Sequence, residues 1–341
     1  MARTGVLICG HGSRDPDAIQ EIERLVEKLG PRLPDYEVAG AYLEFARPII
    51  REGLESLLEK GCERILAIPG MLFAAGHVKN DMPWEVNSFA QDHADIPIVM
   101  GRELAITPLL LKAAEDRIHA AEQHAHHDVP RDETCLVVVG RGTNDSDANS
   151  NVSKVARMLG EGMGFAWTEV AYSGVAHPRV DECLNRVAKL GFRRYLVFPY
   201  FLFTGVLVKR IYEQTAEVAA QFPQIEFLKA HYLDDHPLVV DAFIERIRET
   251  DKGEGAMNCQ LCKYREQIIG YEKDKGAQQA GHHHHVRGIG TDDEHHRHDH
   301  DHDHEHEHGH HHGHGHEQHR HHDHHGHDHG HGHYNPGKGR R

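Results

Sequence analysis

His11, Glu44 and His77 are the residues whose types and spacing best suit chemistry. His11 stands between Gly10 and Gly12, after the apolar run Val6-Leu7-Ile8-Cys9 and just before Asp15-Pro16. The run reads as a buried strand. The flanking glycines let a ligand approach the backbone. Asp15 suits a helix cap and Pro16 a first helical turn. A helix N-terminus disfavours the protonated imidazole, so His11 is suited to act as a metal ligand or a base. A loop histidine bonded only to backbone is the plainer alternative. Glu44 follows a second strand-like run and His77 a third. Two imidazoles and a carboxylate at adjacent strand ends can hold a divalent first-row metal and leave positions open. For Glu44 the competing explanations are a salt bridge to Arg47 or a contact at a helix terminus.

A duplication sharpens this choice. The opening loop returns 130 residues later as Val139-Gly140-Arg141-Gly142-Thr143. Ala46-Arg47-Pro48 returns as Ala176-His177-Pro178, Ile68-Pro69 to Phe73 as Phe198-Pro199 to Phe203, and Val78-Lys79 as Val208-Lys209. Chance similarity does not hold one register over such a length. The copy has Arg141 in place of His11 and Leu207 in place of His77. Both histidines are lost together, as expected of a functional pair.

The elements that must position these residues alternate. Strand patterns cover Val6–Ile8, Tyr36–Leu43, Arg64–Ile68 and Ile96–Met100. Helical patterns cover Ala18–Leu29, Pro48–Lys60, His77–Gln91 and Pro108–Ala121. Such alternation implies a parallel sheet with helices on both faces. The polar stretch His119–Glu133, with His124, His126 and His127, reads as a helix end and a solvent-exposed linker. The fold class is therefore α/β, with two tandem similar domains, each a parallel sheet flanked by helices, plus a disordered His-rich tail. The expected boundaries are 1–122 for the half with the metal site, 123–133 for the linker, 134–250 for the second half, 251–280 for a Met-x-Cys-x-x-Cys segment and 281–341 for the tail. A ligand cleft between the halves, at the C-terminal ends of the strands, is the default for such sheets.

Composition excludes several classes. The formal net charge of −15 argues against nucleic acid as a partner. No long apolar run or signal-peptide pattern is present, which implies a cytoplasmic protein with no membrane partner. Cys9, Cys62, Cys135 and Cys183 read as buried small hydrophobes rather than disulfide partners.

The loop Gly10-His11-Gly12-Ser13-Arg14, the Leu43-Glu44-Phe45 and Pro48 segment, and the loop from Pro69 to His77 resemble those of the sirohydrochlorin cobaltochelatases of cobalamin biosynthesis. These are class II, ATP-independent tetrapyrrole chelatases. The resemblance covers residues 1–270 and includes the tandem halves. It implies Co2+ as the substrate metal and sirohydrochlorin as the partner, with His11 and His77 binding and delivering the metal. Glu44 maps by spacing onto an assisting catalytic carboxylate. The absence of a GxxxxGK[ST] phosphate loop agrees with insertion without nucleotide hydrolysis. The macrocycle would lie in the cleft, where Arg14, Lys79, Arg141 and helix N-termini would receive its carboxylates. The metal would pass from the histidines to the pyrrole nitrogens, with a neutral histidine accepting a proton and Glu44 relaying it. Three alternatives stay open: Fe2+ or Ni2+ as the inserted metal, or a non-catalytic metal storage or chaperone protein on the same fold.

Cys259 and Cys262 suit a zinc or iron–sulfur site, or a redox disulfide. The resemblance implies a [4Fe–4S] cluster. Two thiolates do not complete four ligands, so a bridging cluster would require a homodimer. From Gly281 onward lie 26 of the 36 histidines, alternating with Asp, Glu and Gly. Such a segment buries too little apolar surface to fold, and its imidazoles suit capture or storage of first-row metals.

Overall fold

The computed structural model describes residues 3–255. The segment with Cys259 and Cys262 and the histidine tail lie outside the described residues. The first half runs β1 (Thr4–Gly10), α1 (Pro16–Leu29), β2 (Tyr36–Tyr42), α2 (Ile50–Glu59), β3 (Arg64–Pro69), α3 (Met82–Asp92), β4 (Ile98–Met100) and α4 (Pro108–Gln123). The second runs β5 (Thr134–Gly140), α5 (Ser146–Met163), β6 (Trp167–Tyr172), α6 (Val180–Val187), β7 (Arg194–Pro199), α7 (Val206–Gln221), β8 (Glu226–Lys229) and α8 (Pro237–Asp251). Each half forms a four-stranded parallel sheet, ordered β2-β1-β3-β4 and β6-β5-β7-β8.

Period-two alternation along the central strands sorts the core. Val6, Ile8, Leu66 and Ile68 face one apolar cluster, and Leu136, Val138, Leu196 and Phe198 of the second half join the same cluster. The intervening residues Leu7, Cys9, Ile65 and Ala67 face a cluster confined to the first half. Cys135, Val137, Tyr195 and Val197 face its counterpart in the second. The two sheets thus share one interior and keep one private face each. Cys9, Cys62, Cys135 and Cys183 are buried free thiols, as expected, and burial pushes the Cys9 thiol up to about 12.

Three local features differ from the sequence pattern. The helix expected from His77 begins instead with a π turn, His77–Asp81, in which Met82 N–H reaches the His77 carbonyl. Pro83 lies one residue further on and has no N–H to give the Lys79 carbonyl, so a regular α-turn loses its bond there. The copy has Glu213 at that position and a regular helix from Val206. Second, α4 continues to Gln123, into the expected linker. The linker histidines His124, His126 and His127 are exposed, as expected. Third, β4 is only Ile98–Met100. Among the described residues no helix is long and apolar enough to cross a membrane.

Candidate metal centre

The sheet register assembles the site. Gly10 at the end of β1 pairs with Tyr42 of β2, and Cys9 pairs with Pro69 of β3. The loops carrying His11, Glu44 and His77 therefore leave one edge side by side. The strand order reverses at β1, where crevices between strand-end loops open in such sheets. Two backbone bonds weld the first two loops: Leu43 N–H donates to the Gly10 carbonyl and Glu44 N–H to the His11 carbonyl, both at 3.0 Å. Gly12 makes this possible. Its φ is +93°, and a Cβ there would lie 1.6 Å from the Glu44 carbonyl oxygen.

One ligand atom from each of His11, Glu44 and His77 lies within 4.8 Å of the others. The two imidazoles meet edge to face with centroids 4.7 Å apart, and His11 Nε2 stands 3.4 Å from Glu44 Oε1. Tautomers follow from the partners. His11 Nδ1 lies 3.0 Å from the Gly12 carbonyl and His77 Nδ1 2.7 Å from Asp81 Oδ2. Carbonyl and carboxylate oxygens only accept, so each Nδ1 carries a proton, and in the neutral imidazole Nε2 is then the atom with a lone pair for a metal. Asp81 is itself buried and receives a bond from Asn80 Nδ2 at 2.6 Å. Burial pushes the Glu44 carboxyl above its ordinary range, against the pull of His77 and Arg141. Phe45 has φ +62° and stacks on His11 at 6.1 Å, with the Arg14 guanidinium 5.1 Å from its ring centre. A non-glycine residue in that region is strained, and such strain clusters at functional sites.

Arg141 of the second half reaches this site. Arg141 Nη2 lies 3.5 Å from His11 Nε2. Gly174 stands where the first half has Glu44, and a Cβ there would come within 2.8 Å of the Arg141 carbonyl oxygen. The copy thus lacks all three residues, with Arg141, Gly174 and Leu207 in their places.

Lys79 departs from its expected role as a carboxylate receiver. Its Nζ bonds Asp145 Oδ2 at 2.7 Å and Asp147 Oδ2 at 3.0 Å, across the interface between the halves. Sequence reasoning missed Asp81. Its spacing of four residues from His77 was the available signal.

Comparison with known proteins now adds a family. The sequence profile of CbiX matches residues 5–121 and again 135–250. The chain belongs to the CbiX family. Among CbiX relatives, sirohydrochlorin cobaltochelatase of Priestia megaterium is 35% identical over 264 residues, covering 76% of this chain and 84% of the relative. Sirohydrochlorin ferrochelatase of the same organism is 28% identical over 233 residues, covering 68% of this chain and 84% of that one. Among solved structures, the sirohydrochlorin chelatase SirB from Bacillus subtilis subspecies spizizenii in complex with cobalt superposes with a TM-score of 0.63 at 26% identity, over 75% of this chain and all of that one.

Proposed function

We propose that this CbiX protein inserts Co2+ into sirohydrochlorin without nucleotide hydrolysis. The observation that carries the reading is the convergence of His11, Glu44 and His77 at one strand edge, with an acceptor at each Nδ1 that leaves Nε2 as the ligand atom. This donor set suits a first-row dication, and three protein ligands leave coordination positions for the incoming nitrogens. The chemistry then balances within the site. A dication enters the macrocycle and the pyrrolic protons leave. The imidazoles and carboxylate that release the metal are left as bases able to take those protons. On the second half, Val175, on the loop equivalent to that of Glu44, and Val206, the first residue of α7, are exposed apolar residues. An apolar surface there suits the face of a planar macrocycle.

Cobalt is favoured by the higher identity to the cobaltochelatase. The ferrochelatase relative favours Fe2+ as a second reading. The [4Fe–4S] assignment at Cys259 and Cys262 and the metal store in the tail rest on sequence alone. The test presents purified protein with sirohydrochlorin and Co2+, Fe2+ or Ni2+ in turn, followed by the visible spectrum. Co2+ is expected to insert fastest, and His11→Ala to abolish insertion while the circular dichroism spectrum stays unchanged. Full activity in His11→Ala would overturn the assignment of the site.

A further inference from the structure

The second half sends one cation into the metal site, at the very atom a metal would need. His11 Nδ1 is committed to the Gly12 carbonyl, so Nε2 is the ligand lone pair. Arg141 Nη2 approaches that Nε2 to 3.5 Å, and its charge also acts on Glu44. The guanidinium stays charged at any working pH. It is not a loose surface side chain at its root. Gly174 N–H holds the Arg141 carbonyl at 2.7 Å, and Gly142 follows at φ +81°. Asp145, four residues on, is tied to Lys79, two residues from His77. The backbone that carries Arg141 is therefore fixed beside the loop that carries His77.

The geometry points to Arg141 as a positioning residue that weakens the metal site, so that a bound dication is passed on rather than kept. This rests on the reading of His11, Glu44 and His77 as metal ligands. An entering dication must displace the guanidinium from Nε2, and it then lies close to a fixed positive charge. Both effects raise the free energy of the metal-loaded protein, and neither acts on the metal once it is in the macrocycle. The duplication explains the origin of the group: the copy's loop still faces the first half's site, and where it would carry a third imidazole it carries a cation. A histidine at 141 would offer an additional ligand and hold the metal more tightly.

The experiment is thermal melting of the full chain, without tetrapyrrole, across a Co2+ titration. Metal bound equally by folded and unfolded protein, as by ligands outside the folded halves, adds nothing to the rise in Tm, so the shift reports a site that exists only when folded. Arg141→Gln and Arg141→Met are expected to reach the wild-type shift at a tenth or less of the Co2+ concentration. In the insertion assay both should lower the KM for Co2+ and also lower kcat, since release becomes harder. Unchanged or weaker Co2+ affinity, with only the KM for sirohydrochlorin raised, would make Arg141 a carboxylate contact and overturn the inference. His77→Ala separates the two levels. If it leaves the shift intact, the ligand assignment itself fails. If it removes the shift while Arg141→Gln matches wild type, only the role of Arg141 fails.

Discussion

Asp81 does for His77 what the Gly12 carbonyl does for His11: it fixes the proton on Nδ1 and aims Nε2. Outer partners of this kind typically carry about a tenfold to hundredfold share of metal affinity. Asp81→Ala should therefore weaken Co2+ binding by that order while the protein stays folded, as read from the Co2+-dependent rise in Tm. A wild-type shift would show that the His77 ring needs no such anchor. At this scale the sequence was legible only where the duplication supplied a contrast. His11 and His77 stood out because the copy lacks both. Asp81 did not, because an acidic residue on a helix is usually just solvated. The ion pairs of Lys79 were not legible, because its partners, Asp145 and Asp147, lie far along the chain. No local pattern distinguishes a lysine committed to an ion pair from one awaiting a ligand.

The elements bearing the ligands are bound across the interface by two reciprocal contacts. Lys79, at the head of α3, bonds Asp145 and Asp147 at the N-terminus of α5, and Lys209 of α7 bonds Asp15 and Asp17 at the N-terminus of α1. Asp15 also caps α1 through the Asp17 N–H at 3.2 Å. Its bond from Lys209 holds the Asp15 carboxyl below the ordinary 3.8, ahead of an opposing effect of burial. A depressed carboxylate stabilises the fold above its unfolded value, and that contribution fades as pH falls through the lower folded value. Wild type should thus exceed Lys209→Met in urea midpoint near pH 6, and the gap should close as pH drops below 3.8. A gap that persists unchanged at the acidic end would place the effect of Lys209 in packing instead. The cap at Asp15 and the first turn at Pro16 were readable from local residues. The π turn at His77–Asp81 was not, although its cause, Pro83, is in plain view. Proline near a helix start usually marks a first turn, and only the contact geometry shows a wide turn ahead of it.

At the scale of the molecule the repeat marks two similar halves, and the packing interleaves them. Helix α8, at the end of the second half, packs against α1, β3 and α4 of the first, and α4 packs in turn against α5 and β8 of the second. Arg246 Nη2 donates to the Leu104 carbonyl at 2.9 Å, and Asp251 pairs with Arg64 at 2.5 Å and accepts from the Tyr36 hydroxyl at 3.0 Å. Hydrophobic periodicity assigns each helix an apolar face but says nothing of whose sheet it covers, so this exchange was invisible in the sequence. Its consequence is testable. Val239, Val240, Phe243, Ile244 and Ile247 of α8 are buried in the shared cluster. Burial of such side chains amounts to on the order of 10 kcal/mol, comparable with the whole net stability of a typical domain. Residues 1–122 expressed alone, although they hold His11, Glu44 and His77, should therefore form no stable folded monomer. Co-expression with residues 123–255 should restore a folded complex, with the Co2+-dependent rise in Tm of the intact protein. Sedimentation and thermal melting decide the matter. A cooperative, monomeric 1–122 would mean that the metal-bearing half is self-sufficient and that the exchanged helix is dispensable to it.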